Sequence, residues 1–169
     1  PTYMGGVSAE FAKFKDWTSK RWMEGAWRNK LAAGFTASAS WNGDKHNTLY
    51  QLLTLALQHG MVWVGLGLPP GYNHSKGSAE DLNRLGASVG AMAQANADQG
   101  IEGIAASDFR TMEALGRRVA DSAQRRREEP DWQRVILEIV RWLAEVVDVS
   151  RAYVYENRMD DAEVRAVLR

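Results

Sequence analysis

Cysteine is missing from all 169 residues, which excludes disulfides, thiolate metal ligands and a cysteine nucleophile. Net charge is missing too, because 21 Lys+Arg meet 21 Asp+Glu. General nucleic-acid binders rely on a basic excess to neutralise phosphate, so nucleic acid is not expected as a partner. Long hydrophobic runs are absent. The run Met61–Leu66 falls far short of the roughly 20 residues that cross a bilayer, and no signal-peptide pattern is visible in the residues present. Only three histidines occur (His46, His59 and His74), without metal-ligand spacing, so no metal is expected. Ser38 and Ser40 have no His and acid in catalytic register, which weighs against a hydrolase. Nothing here requires an oxidising compartment, and a cytoplasmic location is expected.

What remains is the composition of an ordinary folded chain, 45% hydrophobic and 25% charged. Two residue types run out along it. All 15 glycines lie at or before Gly116, and the last lysine is Lys76. From Arg125 onward, 9 Arg and 10 acidic residues crowd into 45 positions, against 12 Lys+Arg and 11 acids in the first 124. The charged run Arg125-Arg126-Arg127-Glu128-Glu129-Pro130 suits an exposed junction, so two units are expected, 1–126 and 127–169. The opening Pro1-Thr2-Tyr3 has no Met and reads as already inside a loop.

Periodicity organises the first unit. Ser8 can cap a helix reaching about Trp22, with Val7, Phe11, Phe14 and Thr18 along one face. Leu31–Thr36 is a short apolar run, as in a buried strand. Leu49, Leu52, Leu53, Ala56 and Leu57 follow at helical spacing, and His59-Gly60 supplies a stop. Met61–Leu66 then reads as a second strand. Strand, helix and strand make a right-handed βαβ unit with parallel strands. Leu68–Ser107 reads as irregular, and Asp108–Gln124 as a helix with Met112, Leu115 and Val119 on one side. Beyond Pro130, Val135 to Val147 carries a helical pattern, Ala152–Glu156 alternates like a strand, and Asp160–Leu168 reads as a last helix.

In an open parallel sheet, ligands bind where strand-to-helix loops gather. Three such loops share one edge: Pro1–Gly6, Ala37–Gly43 and the stretch from Gly67. Their glycines, hydroxyls and rings suit a flat, partly apolar ligand held by backbone N–H groups and aromatic faces. Among the seven tryptophans, Trp63, Trp132 and Trp142 sit in apolar patterns that fit a core. Trp22 and Trp41 are the better candidates for stacking on a ligand.

Pro1-Thr2-Tyr3-Met4-Gly5-Gly6-Val7-Ser8-Ala9-Glu10-Phe11 resembles the flavin-ring loop and following helix of flavodoxin-like NAD(P)H:quinone oxidoreductases, the branch named for tryptophan-repressor-binding flavoprotein. Lys30–Thr36, the Ser38/Ser40 loop and His59–Gly65 follow the same order and spacing, so the resemblance covers roughly residues 1–124. It implies an α/β fold, a flavodoxin-like parallel sheet with helices on both faces. It implies FMN as cofactor, NAD(P)H as co-substrate and a quinone as acceptor, with two electrons passing through the flavin. The implied ring contacts are Pro1, Thr2, Tyr3, Met4, Gly5 and Gly6 from one loop, and Thr36, Ala37, Ser38, Ser40, Trp41, Asn42 and Gly43 from the other. Trp22 matches an aromatic position near the flavin in the oligomer. His59 matches one that approaches a neighbouring subunit's flavin and is a weak catalytic candidate. A homo-oligomer is therefore expected.

The resemblance has departures. Trp41-Asn42-Gly43-Asp44-Lys45 stands where the family has a glycine-rich tail. The family's first strands and phosphate loop would precede Pro1, so the chain is expected to be the C-terminal part of the domain, with the parent an enzyme and the 169 residues alone inactive and weak in holding FMN. The alternatives are a flavodoxin-type electron carrier without enzymatic activity, or a structural or sensory segment without flavin. The tail from Asp131 resembles, more loosely, the opening of a GAF-type sensor domain; its alternative is a terminal extension.

Overall fold

A computed structural model describes residues 1–128. Pro1–Gln124 form one compact unit, and the final turn of the last helix, from Arg125, belongs to the next. The elements expected beyond Pro130, with Trp132 and Trp142, lie outside the described residues.

The chain opens with a hairpin where a plain loop was expected: β1 (Thr2–Tyr3) pairs antiparallel with β2 (Gly6–Val7). The two turn residues between them, Met4 and Gly5, both have positive φ, 47° and 74°. That is the turn whose twist matches the strands. Ser8 then caps α1 (Ala9–Trp17), its hydroxyl accepting from the Phe11 N–H at 3.2 Å. The expected single helix to Trp22 is in fact two. Thr18, buried, bonds back to the Lys15 carbonyl at 2.7 Å and ends α1, and α2 (Ser19–Met23) restarts beyond it.

The apolar run after Lys30 also divides, into β3 (Leu31–Ala32) and β4 (Phe35–Ser38), and the second piece extends past the expected end. Gly34 lies at the break because a side chain there has no room. A Cβ would stand 2.7 Å from the Trp63 ring and 2.9 Å from Leu52. Next come α3 (Lys45–Gln58) and β5 (Val62–Trp63), and β3 pairs with β5 in parallel, as a βαβ unit requires. Lys45, Thr48, Leu49 and Ala56 are the buried positions of α3, whereas Leu57, expected on the same face as Leu49 and Ala56, is exposed.

A strand was missed within 68–107. β6 (Ala91–Gln94) pairs parallel with β4, in the register Phe35↔Ala91 to Ser38↔Gln94. Its Ala-Met-Ala-Gln sequence carries little β-branched signal. The carbonyls of Lys30, Ala32, Gly34 and Ser38, all even-numbered, accept from Val62, Val64, Ala91 and Ala95 in turn. Alternate residues of a strand face the same edge. β5 and β6 are therefore successive pieces along one edge of the 31–38 line, between which the chain leaves at Leu66 and returns at Ser88. A 3₁₀ turn (Ile101–Gly103) leads into α4 (Ala106–Glu128).

Leu66, Ala91 and Leu115 form the buried core cluster, with Leu68 and Met112 against it. An open apolar hollow of about 410 Å³ lies among Phe11, Trp27, Phe35, Leu52 and Trp63. Among the described residues no helix is long and apolar enough to cross a membrane.

Candidate functional site

β4 runs out at Ser38, and residues 39–44 form the loop that enters α3. The hairpin turn lies against this loop. Asn47, in the first turn of α3, donates its side-chain amide to the Gly5 carbonyl at 2.6 Å, and a Cβ on Gly5 would touch the Asp44 Cβ at 3.3 Å. Beneath them, three buried hydroxyls tie the elements together. Thr2 Oγ1 lies 2.8 Å from Thr36 Oγ1 and donates to Thr48 Oγ1 at 2.8 Å, joining β1, β4 and α3. The first two of the three sequence-predicted loops are thus held side by side. Tyr3, Met4 and Trp41 stand exposed on them.

The 39–44 loop is held from below by a lysine. Lys45 is fully buried and donates to Ser38 Oγ at 2.9 Å, the Ser40 carbonyl at 2.7 Å and the Trp41 carbonyl at 2.8 Å. All three ammonium hydrogens are used. Burial pulls the Lys45 pKa below its usual value, against the opposing pull of Asp108, while Arg84 adds to the lowering. Gly43, with φ +53°, packs so closely on the Ser38 hydroxyl that no Cβ fits. Among the described residues, the N–H groups of Ser40, Trp41, Asn42 and Gly43 donate to no protein acceptor.

Behind the loop sits a buried charge network. Arg84 Nε and Nη2 donate to the two oxygens of Asp108, each at 2.8 Å, and the pair is 5% and 2% exposed. Asp108 also accepts from the Gln94 N–H at 3.0 Å, and the Gln94 side chain donates to the Ala39 carbonyl at 2.8 Å. The hydrogen bond to Asp108 raises the Arg84 pKa further above its usual value. The Arg84 guanidinium lies 4.7 Å from the centre of the Trp41 ring, a cation–π contact. Trp41, expected to stack on a ligand, has Arg84 against its ring.

Trp22 and His59 are not with the loops. They lie past the other end of α3, about 20 Å of helix away. The Trp22 indole donates to the Gln58 carbonyl at 2.9 Å. His59 is buried, its Nε2 2.9 Å from Thr18 Oγ1 and its ring 4.5 Å from that of Trp27, while its Nδ1 has no partner among the described residues. Both residues line a groove of about 520 Å³ with Met23, Arg28 and Leu57.

Sequence reasoning missed Lys45, Asn47, Arg84, Gln94 and Asp108. Lys45 carried a signal, since a cation at the first position of a helix opposes the helix dipole. Arg84 and Asp108, 24 positions apart in stretches without a common period, carried none. Among the described residues no cluster of three His, Asp or Glu could hold a metal.

The family described as NADPH-dependent FMN reductase matches residues 1–69. Flavodoxin FldP of Pseudomonas aeruginosa is 48% identical over 124 residues, which are 73% of this chain and 67% of the relative. The chain belongs to the flavodoxin-like NAD(P)H:quinone oxidoreductase family. An NAD(P)H dehydrogenase (quinone) of Archaeoglobus fulgidus is 34% identical over 74% of this chain and 56% of its own length. The crystal structure of a flavodoxin, WrbA-like protein from Agrobacterium tumefaciens aligns with a TM-score of 0.56 at 40% identity, covering 74% of this chain and 62% of that one. The chain thus spans about two thirds of the first of these members and little more than half of the second. The expected α/β flavodoxin-like fold stands, and FMN is the cofactor of the family.

The loops fit such a group. A flavin ring offers carbonyl and ring-nitrogen acceptors along its edge and flat faces above and below. The 40–43 segment offers free N–H donors, and Tyr3 and Trp41 offer exposed rings beside them.

Proposed function

We propose that the full-length protein passes two electrons from NAD(P)H through FMN to a quinone. The observation that carries this reading is the seating of the hairpin turn on the start of α3 through Asn47 and against Asp44 of the 39–44 loop, which sets free backbone donors beside exposed rings. The name of the relative, NAD(P)H dehydrogenase (quinone), and the description of the matching family, NADPH-dependent FMN reductase, support the choice of donor and acceptor.

When bound, the flavin supplies the hydride chemistry. Pro1–Gly6, with Thr36, Ala37, Ser38 and Ser40 to Gly43, would hold its ring. The N–H groups of the second loop would donate to its polar groups, and the buried Thr2, Thr36 and Thr48 hydroxyls keep the two loops in register. No side chain needs to act as nucleophile or strong base. Trp22 and the groove beside His59, at the far end of α3 from the loops, would meet a flavin only in a homo-oligomer. A cytoplasmic location suits a nicotinamide-dependent enzyme.

The flavodoxin name of the 48% identical relative favours a second reading, an electron carrier that serves protein partners. Flavin fluorescence quenching on the full-length protein, followed by steady-state NAD(P)H oxidation with benzoquinone, separates them. Binding with turnover supports the reductase, and binding without turnover supports the carrier. No binding excludes both.

A further inference from the structure

Burying an ammonium at the first position of a helix is costly twice over, through desolvation and through opposition to the helix dipole. An apolar side chain of similar length would fill the same space without either cost. The three oxygens around Lys45 show what the charge does. A peptide unit is planar and trans, so its C=O and its N–H point in opposite directions. The Ser40 and Trp41 carbonyls turn inward onto Nζ, at 2.7 and 2.8 Å. The N–H groups of the same two peptide units, those of Trp41 and Asn42, must then turn away from the lysine, and both lack a protein acceptor among the described residues. The third bond, to Ser38 Oγ, fixes the loop to the end of β4.

The charge is also compensated only in part. Asp108 is the neighbouring carboxylate, and Arg84 already takes both of its oxygens. Lys45, Arg84 and Asp108 together therefore leave one positive charge behind the loop, on the same side as the positive end of α3.

We propose that Lys45 is a positioning residue of the flavin site, an internal cation that turns the Trp41 and Asn42 N–H groups toward the ring and biases the site toward its reduced, more negative form. This rests on the reading that FMN lies against the 39–44 loop. Lysine supplies both effects, since a neutral side chain loses the charge and an apolar one loses the cage as well.

Two experiments on the full-length protein separate the clamp from the flavin reading. Without any flavin, ¹H–¹⁵N spectra of Lys45→Met are expected to show displaced or broadened resonances for residues 38–42, with the rest unchanged. Spectra that superimpose on the wild type would overturn the proposal. With FMN, Lys45→Met is expected to bind about tenfold or more weakly, as two hydrogen bonds are misaimed. At saturating FMN, the midpoint potential of the variant is expected to be lower than that of the wild type. Equal affinity together with an equal potential overturns the proposal. Wild-type protein that binds no FMN sinks the flavin reading instead, and the clamp is then judged by the spectra alone. Lys45→Gln, which keeps a donor in the cage without the charge, gives the same readouts if the Met variant fails to fold. Its loop resonances should move less than those of Lys45→Met while its potential falls as far.

Discussion

Arg84 grips both oxygens of Asp108 at 2.8 Å in a pair that water barely touches, while its guanidinium lies 4.7 Å from the centre of the Trp41 ring. One arginine thereby ties the 67–90 excursion, the start of α4 and the loop after β4. Such a pair contributes little net stability against an apolar replacement, but removing one partner strands a buried charge.

Asp108→Ala is accordingly expected to destabilise the protein by about 3–5 kcal/mol, because Arg84 is left buried and unpaired. Urea denaturation followed by circular dichroism checks this. A loss below about 1 kcal/mol would mean that Arg84 finds water or another acceptor easily.

Gly34→Ala places a methyl 2.7 Å from the Trp63 ring and 2.9 Å from Leu52. Overpacking of this kind costs about 1–3 kcal/mol. Both contacts are side chains that can shift, so the lower half of that range is expected from thermal or urea melts. The Trp63 indole bond to the Val89 carbonyl, 2.7 Å long, should weaken with it and move the tryptophan emission.

Ser8→Ala removes the acceptor for the Phe11 N–H at the start of α1. Loss of a helix cap costs about 1 kcal/mol. α1 leads directly from the hairpin, so the same variant is expected to bind FMN more weakly in the full-length protein, through the disturbed turn at Met4 and Gly5. A titration indistinguishable from wild type, alongside the stability loss, would show that the hairpin holds its shape without α1.

The groove at the far end of α3 exposes Trp22, Met23 and Leu57, which are 56%, 72% and 57% accessible. Apolar surface of this kind recruits other chains. Light scattering on the 169-residue chain is expected to give a mass above 18.9 kDa at micromolar concentration. Leu57→Glu should lower it. A monodisperse monomer would count against self-association through this face.

The βαβ unit was legible because its signals are local. The helical spacing of Leu49, Leu52 and Ala56, the stop at His59-Gly60 and the apolar runs on either side all lie within a few dozen residues. β6 was not legible, because a strand of alanines, methionine and glutamine declares itself only through its ladder to β4. Likewise the break at Thr18 depends on a hydroxyl turning back onto the Lys15 carbonyl, which a helical pattern of apolar residues does not reveal.

By itself the sequence determined the βαβ unit, the family resemblance and two loops rich in glycine, hydroxyls and rings. Tertiary structure alone decided what stands behind those loops: that Lys45 is buried rather than solvated, that Arg84 reaches Asp108, and that Arg84 meets the Trp41 ring. Short-range pattern follows from the repeat of the helix and of the strand, which any stretch of sequence displays. The fate of a charged side chain depends on which distant oxygens surround it, and only the folded chain brings those together.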